Sequence, residues 1–508
     1  MSTELSLAQV AALLAVAQDL SFGQPPGSQL RATVLGQHLA VAAGADTGEQ
    51  ATTWWTSALR FLGCTGHAYD TAVIFGDEIE LRAESLRADP SNPPEFLRLM
   101  LSHAGPGTTG LSRFRSVLSV LAGGRKAAEL NFRMACEVAD SFAVRLGLDD
   151  AVRRALGANF ERWNGRGMPA GTKGTAIPRP MRIAQIAQEC EVLIRVEGVD
   201  RGLGIIGARS GKAYDPELAV LVTAHGAMWW DSMELLDPWD AALSVAPHGR
   251  SLDESTIHDV LVVLADFADL KSPWTAGHSR GVAALAREAG GAECEAAALV
   301  HDLGRVAVPN TIWDKPASLT RDERDRVEGH ALSTEQLLRR VPYLSHLAPM
   351  AGAAHERLDG SGYHRHATGT QLGVSERIIA AADCYQAMIS NRPYRRALAT
   401  GEAATELRIM GTAGHLDGEA VERVLAAAGH RRLARVPLPA GLTTREVDVL
   451  RLMTLGLTTR QIAQRLFIAP KTADHHVQHI YTKIGVSTRG AASLYAIEHG
   501  ILPNDPDR

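Results

Sequence analysis

The sequence predicts an all-α protein built of two related helical bundles followed by a small helix-turn-helix domain. Three observations indicate this fold class. Apolar residues recur at helical spacing along almost the whole chain, and alternation of β-branched residues is scarce. Aromatic residues make up only 5% of the chain, whereas alanine is abundant. Because 508 residues are too many for one hydrophobic core, we expect several domains.

The overall charge and the cysteines restrict the possible classes of function. The formal net charge is −5, so no global basic field predicts nucleic-acid binding, although a local patch is compatible with it. The five cysteines are scattered without a CxxC pair, which fits a reducing cytosol and argues against disulfides or a thiolate zinc site. The first 20 residues lack the basic region of a signal peptide, and no uninterrupted apolar run could span a membrane. We therefore predict a cytoplasmic protein without membrane spans.

An internal repeat organises the first 430 residues. The segment 161–182 (ERWNGRGMPAGTKGTAIPRPMR) matches 356–377 (ERLDGSGYHRHATGTQLGVSER) without a gap. Glu161, Gly165, Gly167, Gly174 and Arg182 match Glu356, Gly360, Gly362, Gly369 and Arg377 at a constant offset. Two copies of one helical domain, at 1–250 and 251–430, explain this match.

The second copy ends before a change in composition. Two prolines and three arginines lie close together in HRRLARVPLPAG, which is typical of a connection between domains. We therefore predict a linker at 431–440 and a separate domain at 441–508.

Potential metal ligands accumulate in the second copy. Imidazole and carboxylate groups suit borderline divalent metals such as iron, manganese, zinc, cobalt or nickel. Ligands on separate helices can converge inside a bundle, and an aspartate between imidazoles can bridge two ions. The candidate ligands are His278, His301, Asp302, His330, His355 and Asp383.

Taken singly, most of these residues have simpler explanations. His278 and His330 could each be a surface or capping histidine, and the pair His301–Asp302 could be a buried hydrogen-bonded pair. Asp383 is unusual because it lies in the apolar run RIIAAAD, where burying an unpaired carboxylate costs on the order of several kcal/mol. The order of the set along the chain favours a metal site over these separate explanations.

Residues 270–396 resemble the HD superfamily of metal-dependent phosphohydrolases, and specifically its HD-GYP branch. HDLGRVAVPN resembles the HDxGK segment, HERLDGSGYH the HHExxDGxGYP signature, and DCYQAMISNRPYR the DxxDA…RPYR segment. The resemblance implies a helical bundle that hydrolyses cyclic di-GMP or a related cyclic nucleotide at a site of two or three metals. The implied ligands of one ion are His278, His301, Asp302 and Asp383, and Asp302 would bridge to a second ion held by His330 and His355.

The second copy departs from this pattern at four positions. Ala354 replaces the first of the family's two adjacent histidines, and Gln386 replaces the second acid of DxxDA. His364 replaces the GYP proline and is either a solvated loop residue or a displaced ligand. The family lysine is Arg305, which keeps the charge and can form two hydrogen bonds with a phosphate. We predict Asp302 and Arg305 as catalytic residues and expect one or two divalent ions, such as iron or manganese.

The first copy has lost this chemistry at every corresponding position. This copy keeps Glu161 and the glycines of the repeat, as expected if the turn is retained for its structure although the reaction is lost. We predict an inactive domain used for packing, dimerisation or ligand sensing, with Phe61 and Phe160 filling the vacated centre. The residues at the ligand positions are Ser28, Arg60, Phe61, Asn159, Phe160 and Gln188.

Residues 441–508 predict a domain that reads DNA. Thr443-x-x-Glu446 and Thr458-x-x-Gln461 are capping boxes, each followed by apolar residues at helical spacing. Two later helices are joined by a short turn at 467–470, which is helix-turn-helix spacing.

This segment closely resembles the LuxR-type DNA-binding domain, a four-helix module, through GLTTRQIAQRL and KTADHHVQHIYTKIGVSTR. The resemblance implies that the second helix of the motif enters the major groove. A small protein–protein interaction module is the alternative. The implied base contacts are Asp474, His475 and Gln478, and the implied phosphate contacts are Lys471, Thr472, Lys483 and Arg489.

These observations predict two tandem HD-like helical bundles and a C-terminal four-helix LuxR-type domain. The predicted function is a DNA-binding transcriptional regulator with a metal-dependent phosphohydrolase or nucleotide-sensing module. The alternative is an active cyclic di-GMP phosphodiesterase that uses a two-metal-activated water. Expected partners are promoter DNA and a cyclic dinucleotide or other nucleotide. A homodimer is expected because one recognition helix reads few base pairs.

Overall fold

The fold is helical throughout the part of the chain that the computed structural model describes. The described residues are 4–89, 92–105, 111–247, 251–429, 439–466 and 468–501. Within them β-pairing is confined to isolated bridges, so the predicted all-α class is confirmed. None of the helices in these ranges has the length and hydrophobicity that a membrane span requires. Most of the predicted linker (431–438) and residue 467 of the predicted turn lie outside the described residues.

The chain divides into two compact units, the first of which is Glu4–Asp253. Its centre is formed by the mutual packing of helices α2, α3 and α9, which bury Leu30, Leu59 and Ile183. The helices of this unit are α1 (Leu7–Ser21), α2 (Ser28–Ala42), α3 (Thr47–Leu59), α4 (Ala68–Phe75), α5 (Glu78–Ser85), α6 (Pro93–His103), α7 (Leu111–Arg145), α8 (Asp150–Leu156), α9 (Arg179–Glu197), α10 (Val199–Ala208), α11 (Pro216–Glu234) and α12 (Pro238–Ser244).

The second unit begins at Glu254 and contains the predicted metal ligands and the predicted DNA-binding segment. Helix α14 packs against α15, α19 and α21, and α17 packs against the 3-10 helix Leu303–Ala307. The helices are α13 (Glu254–Asp269), α14 (His278–Gly290), α15 (Ala292–Val300), α16 (Asn310–Trp313), α17 (Arg321–Arg339), α18 (Ala348–Gly352), α19 (Val374–Met388), α20 (Thr400–Thr412), α21 (Gly418–Ala428), α22 (Thr444–Thr454), α23 (Thr459–Arg465), α24 (Pro470–Ile484) and α25 (Arg489–Glu498).

Both units repeat one close contact at a glycine. A Cβ atom built on Gly304 would lie 2.1 Å from the carbonyl oxygen of His330, and one built on Gly63 would lie 1.8 Å from that of Ala135. Only glycine lets the short 3-10 helix that carries it approach the long helix so closely. The repeated contact therefore places Ala135 of the first unit at the position of His330.

Both units also repeat one glutamate-centred loop. Glu356 accepts hydrogen bonds from the backbone N–H groups of Arg365, at 2.7 Å, and Ala367, at 2.9 Å. Glu161 accepts one from the backbone N–H of Ala170, at 2.8 Å, which is the residue that the sequence repeat aligns with Arg365. The buried glutamate thus holds the loop in both copies, which explains why it survives where the ligands do not.

Helices α22–α25 share a hydrophobic core of their own. The two predicted capping boxes form at the starts of α22 and α23, where Thr443 and Thr458 each accept from the backbone N–H three residues on. The core includes Val449, Leu450, Ile462, Ala473, Val477, Ile480, Ala492 and Ala496.

Candidate metal centre and DNA-binding face

The six predicted ligands meet inside the second unit, where all their side chains are buried. His278 is the first residue of α14, and Asp383 lies in α19. His330 lies in α17, and the remaining three follow the ends of helices: His301 and Asp302 after α15, and His355 after α18. The fold therefore brings together side chains that are up to 105 residues apart in sequence.

A first group of donor atoms surrounds one oxygen of Asp302. Nε2 of His278 lies 3.0 Å from Asp383 Oδ1 and 3.8 Å from Asp302 Oδ2. Nε2 of His301 lies 3.3 Å from Asp302 Oδ2 and 3.8 Å from Asp383 Oδ1. Ligand atoms of His278, His301 and Asp383 all lie within 4.8 Å of one another, so a single ion could contact all three.

A second group surrounds the other oxygen of Asp302. Nε2 of His330 lies 3.1 Å from Asp302 Oδ1 and 2.9 Å from Nε2 of His355. Nε2 of His355 lies 3.3 Å from the same carboxylate oxygen. Asp302 therefore stands between the two groups with one oxygen toward each, which is the arrangement of a bridging carboxylate.

Backbone carbonyl groups orient two of the imidazoles. Nδ1–H of His301 donates to the carbonyl oxygen of Ala298 at 2.7 Å, and Nδ1–H of His330 donates to that of Val327. Because a carbonyl only accepts, each ring must carry its hydrogen on Nδ1, which leaves Nε2 free to act as a ligand. Such fixed tautomers are typical of metal-binding histidines.

His355 is held by different partners. Its Nδ1 lies 3.3 Å from Asp383 Oδ2, and its ring stacks on Tyr363 with centroids 5.1 Å apart. Asp383 thus faces the first group with Oδ1 and orients His355 of the second group with Oδ2. Asp383 therefore contacts residues of both groups, as Asp302 does.

Both carboxylates are ionised despite their burial. Burial raises the pKa of Asp302, but Arg305 and His301 outweigh it and hold that pKa well below its usual range. Burial likewise raises the pKa of Asp383, and the nearby imidazoles, led by His355, hold it well below the usual range. Both groups are therefore available as anionic ligands at neutral pH.

The histidines of the first group differ in protonation. Burial lowers the pKa of His278 to about 4, so this ring is neutral at pH 7. Burial also opposes the charge on His301, but the carboxylates of Asp302 and Asp383 prevail and raise its pKa to about 10. Without a metal ion, His301 is therefore protonated at neutral pH, and its positive charge offsets the negative charges of Asp302 and Asp383, where a metal cation would otherwise bind.

The donors fit a divalent metal ion. Nε2 of His301 is buried and makes no hydrogen bond of acceptable geometry with a described residue, although Asp302 Oδ2 is 3.3 Å away. Leaving such an atom without a partner is costly, and coordination to an ion would satisfy it. Imidazole nitrogen and carboxylate oxygen are also the donors that borderline divalent metals prefer.

Arg305 contributes a buried cation beside this cluster. One of its terminal nitrogens contacts Asp302 Oδ2, and its Cζ lies 4.2 Å from the centre of the Trp313 ring. Its Nε and Nη1 have no hydrogen-bond partner among the described residues. Two donors of a permanently charged group are thus left for an anion.

A cavity of about 440 Å³ reaches the cluster. The cluster residues that line it are His355 and Asp383. Its remaining lining is rich in cations and aromatic rings, among them Arg305, Lys315, Arg357, Arg392, Trp274, Trp313, Tyr363 and Tyr394.

The positions that depart from the family pattern add no ligand. Ala354 is buried and has no donor atom in its side chain. Nε2 of His364 lies 3.2 Å from Glu335 Oε2, so this residue is neither a displaced ligand nor a freely solvated one. His366, which follows in the same loop, is exposed and has a φ of 53°.

The centre of the first unit is filled by a buried arginine and by aromatic rings. Arg60 stands at the position of His301, where its Nε donates to Asn159 Oδ1 at 2.8 Å and its Nη1 to the carbonyl oxygen of Ala184 at 3.2 Å. Phe61 is part of the apolar cluster here, and Phe160 packs against it, as expected. The sequence did not reveal that Arg60 would also occupy this space.

The predicted recognition helix is α24. Its start has Pro470 in the first turn, and Ala469 provides no side-chain cap. Ala473, Val477 and Ile480 face the domain core. The opposite surface exposes Lys471, Thr472, Asp474, His475 and Gln478.

Two predicted DNA contacts have a role within the domain. Nζ of Lys483 lies 2.7 Å from Glu446 Oε2, which ties α24 to the start of α22. The Arg489 guanidinium donates to the carbonyl oxygens of Met453, at 3.0 Å, and Leu457. The sequence did not reveal these contacts; the phosphate contacts of Lys483 and Arg489 stay predictions.

Two family models match parts of the chain. The model described as "HD domain" matches residues 262–420, and the model described as "Bacterial regulatory proteins, luxR family" matches residues 440–496. The first range contains all six candidate ligands, and the second contains α22–α25 almost completely.

Several curated proteins are similar to this chain. 3'3'-cGAMP-specific phosphodiesterase 3 of Vibrio cholerae is 29% identical over 410 residues, which are 78% of this chain and 89% of that protein. 3'3'-cGAMP-specific phosphodiesterase 1 of the same organism is 34% identical over 35% of this chain and 43% of its own length. A cyclic di-GMP phosphodiesterase of Thermotoga maritima is 33% identical over 30% of this chain and 45% of its own length.

A solved structure is also similar. The crystal structure of a cyclic GMP-AMP specific phosphodiesterase of V. cholerae matches with a TM-score of 0.58 and 26% sequence identity. The match covers 84% of this chain and 98% of that chain. It therefore extends over more than the segment matched by either family model.

Proposed function

We propose that this chain, which joins an HD-GYP-like phosphodiesterase module to a LuxR-type DNA-binding domain, is a DNA-binding regulator whose second bundle hydrolyses a 3′,3′-linked cyclic dinucleotide. The observation that carries the proposal is the convergence of six buried imidazole and carboxylate groups beside a cavity lined by cations. The first bundle has none of these groups at the corresponding positions, so the chemistry is assigned to the second bundle alone.

The donor set would hold one or two divalent ions such as Fe²⁺ or Mn²⁺. The second position has one donor fewer because Ala354 replaces a histidine of the family pattern, so we expect its ion to bind more weakly. Bound there, such ions would lower the pKa of a coordinated water and neutralise charge on a phosphodiester. The proposed ligands are His278, His301, Asp302 and Asp383 for one ion, and Asp302, His330 and His355 for the other.

Arg305 is placed to bind the phosphate that is cleaved. Its Nε and Nη1 are buried and have no hydrogen-bond partner among the residues that the structure describes. A guanidinium group can give two parallel hydrogen bonds to a phosphate. The contact with Asp302 and the ring of Trp313 hold the group in place. Arg305 would therefore bind and orient the substrate. Asp302, which contacts Arg305 and would be a ligand of both ions, would position this guanidinium group relative to the ions.

The cavity suits a ligand with more than one negative charge. Arg357 and Arg392 line it in addition to Arg305, and neither forms an ion pair with a carboxylate among the described residues. A cyclic dinucleotide carries two phosphodiester groups and two bases, which matches several cations interspersed with aromatic rings. The names of the V. cholerae relatives point to the same substrate class.

A nucleotide sensor without turnover is the second candidate. It is favoured by one specific observation, the loss of a donor at Ala354 in the second group. If only the first ion bound, the cavity could still hold the nucleotide through its arginines. The bundle would then report nucleotide concentration to the DNA-binding domain without destroying the signal.

Promoter DNA would be bound by the exposed face of α24. Asp474, His475 and Gln478 would face base edges, and Lys471 and Thr472 would contact phosphates, which supply most of the affinity. Asp474 could accept a hydrogen bond from a cytosine amino group. A homodimer would place two such helices on two half-sites.

Turnover assays test the enzymatic part of the proposal. Protein reconstituted with Mn²⁺ is incubated with 3'3'-cGAMP and with cyclic di-GMP, and the products are separated by chromatography. We expect turnover by the wild type, none by His301→Ala, and unchanged turnover by His346→Ala, which removes an exposed histidine elsewhere. Bound nucleotide without product would support the sensor, and a lack of both binding and turnover would contradict both candidates.

A gel-shift assay tests the DNA-binding part. The probe is a duplex that the wild-type protein enriches from a random-sequence library. We expect the double substitution of Lys471 and Gln478 by alanine to abolish the shift, and Arg423→Ala, an exposed arginine on α21, to leave it intact. Unchanged binding of the double variant would refute the placement of the recognition helix. Light scattering of the complex should find two chains per duplex.

A further inference from the structure

Four aromatic side chains line the cavity, and two of them already have partners. Trp313 lies under the guanidinium of Arg305, and its ring is nearly perpendicular to that of His330, with centroids 5.1 Å apart. Tyr363 stacks on His355. These two rings are therefore used to hold the cation and the imidazoles of the site.

Trp274 and Tyr394 also line the cavity, but neither stacks on a ring in the described part of the chain. Neither ring pairs with another ring or with a cation among the described residues. Tyr394 is 62% exposed, which is unusual for a large aromatic side chain, and Trp274 is half-buried. An aromatic face left bare at a cavity is available to a flat ligand group.

Both aromatic residues are connected to Arg392 through the backbone. Nη1 of Arg392 donates to the carbonyl oxygen of Trp274 at 3.4 Å, and Tyr394 follows two residues after this arginine. A backbone bridge between Arg392 and Arg395 closes the turn that carries Tyr394. Pro393, the residue before Tyr394, has a φ angle that is fixed by its own ring. Tyr394 is therefore exposed on a fixed turn at the cavity, next to a positive charge.

We propose that Trp274 and Tyr394 are nucleobase platforms, each stacking one base of the cyclic dinucleotide, while Arg392, which lines the same cavity, binds the phosphate that is not cleaved. The inference rests on the proposed function, because it requires a nucleotide in the cavity. Stacking on an aromatic face tolerates any base and contributes binding rather than chemistry. The two rings should thus determine affinity, and the buried cluster should determine turnover.

Steady-state kinetics with 3'3'-cGAMP test this division of roles. Trp274→Ala and Tyr394→Ala should each raise KM by about tenfold or more, the effect of removing one base-stacking ring, while kcat changes less than about threefold. Trp274→Phe and Tyr394→Phe keep a ring and should restore most of the affinity. Tyr343→Ala, which removes an aromatic ring that does not line the cavity, should behave as the wild type.

Tryptophan fluorescence gives a readout that does not depend on turnover. Addition of 3'3'-cGAMP to the His301→Ala variant should quench emission, and the additional substitution Trp274→Phe should remove most of this quenching. A wild-type protein that neither binds nor hydrolyses the nucleotide would contradict the proposed function itself. A wild type that does so, with unchanged KM in both alanine variants or with equal effects of alanine and phenylalanine, would overturn the platforms alone.

Discussion

Asp302 is a fully buried carboxylate that contacts both groups of ligands as well as Arg305. Its Oδ1 faces His330 and His355, and its Oδ2 faces His301 and Arg305. A fully buried carboxylate is stable only when its charge is neutralised by such partners. Removing a partner should therefore affect the binding of both proposed ions.

The protonation of His301 predicts how metal binding depends on pH. Its pKa is raised to about 10 by Asp302 and Asp383, whereas a ligand nitrogen must be unprotonated. Metal binding should therefore release a proton at neutral pH, and the affinity should rise about tenfold per pH unit as the pH increases toward 10. Titration calorimetry at pH 7.5 in two buffers of different ionisation enthalpy measures the released proton.

His301→Ala removes the group that carries this proton and is the matched control. The variant should bind the ion more weakly and with less dependence on pH. Equal binding enthalpies in the two buffers, with an affinity that does not change between pH 6.5 and 8.5, would contradict this assignment.

At the residue scale, the candidate ligands could be predicted from the sequence, but the structural roles of Lys483 and Arg60 could not. The ligands could be found because imidazoles and carboxylates follow one another in an order typical of one family. The ion pair of Lys483 with Glu446 and the burial of Arg60 could not be found. Both depend on partners far away in sequence, and a charged residue at either position is equally compatible with solvent exposure.

At the scale of elements, the contact of the 3-10 helix Leu303–Ala307 with α17 positions two ligands. The hydroxyl of Thr334 in α17 accepts from the backbone N–H of Gly304, at 2.8 Å, and donates to the carbonyl oxygen of His301, at 3.1 Å. Asp302 directly precedes this short helix, and His330 lies in α17. The spacing of these two elements thus sets the distance between Asp302 and His330.

Gly304→Ala should disturb that spacing. The added Cβ would lie 2.1 Å from the carbonyl oxygen of His330, so the elements must separate, at a cost of about 1–3 kcal/mol. We expect a lower melting temperature and loss of bound metal. Gly329 lies in α17, directly before His330, and a Cβ atom added there would meet nothing within 4 Å. Gly329→Ala should therefore leave the folded protein equally stable or stabilise it by up to about 1 kcal/mol. Similar melting temperatures and metal contents for the two variants would argue against this account.

The tie between α22 and α24 predicts different effects of two lysines on DNA binding. Lys483 is paired with Glu446, whereas Lys471 is exposed on the proposed DNA-binding face. Lys483→Met should lower the melting temperature of the DNA-binding domain. Lys471→Ala should leave stability unchanged and reduce the slope of log affinity against log salt by about 1. Anisotropy titrations with labelled duplex at several salt concentrations separate the two effects, and equal slopes in Lys471→Ala and the wild type would disprove the phosphate contact.

Helix starts were predicted well because their signals are local. Both capping boxes of the C-terminal domain lie within four residues of sequence and form as expected. The close approach at Gly304 was not predicted, because the sequence shows a glycine but not the helix that will pack against it. Local signals fix elements, whereas the distances between elements depend on packing across the fold.

At the scale of the whole molecule, one scaffold is used twice with different centres. The second bundle surrounds Asp302 with imidazoles, and the first surrounds Arg60 with amide and carbonyl groups. Glu161 and Glu356 hold the same loop in both. The repeat itself was visible in the sequence because these loop residues are shared, whereas the filling of the first centre had no such signal.

Elemental analysis of the intact protein purified without chelator, together with two variants, tests whether the second bundle holds a metal ion. We expect divalent metal in the wild type, its loss in His301→Ala, and its retention in Arg60→Ala, which alters the corresponding position of the first bundle. Absence of metal from the wild type even after reconstitution with Fe²⁺ or Mn²⁺, or a metal content that His301→Ala leaves unchanged, would contradict the proposed metal site.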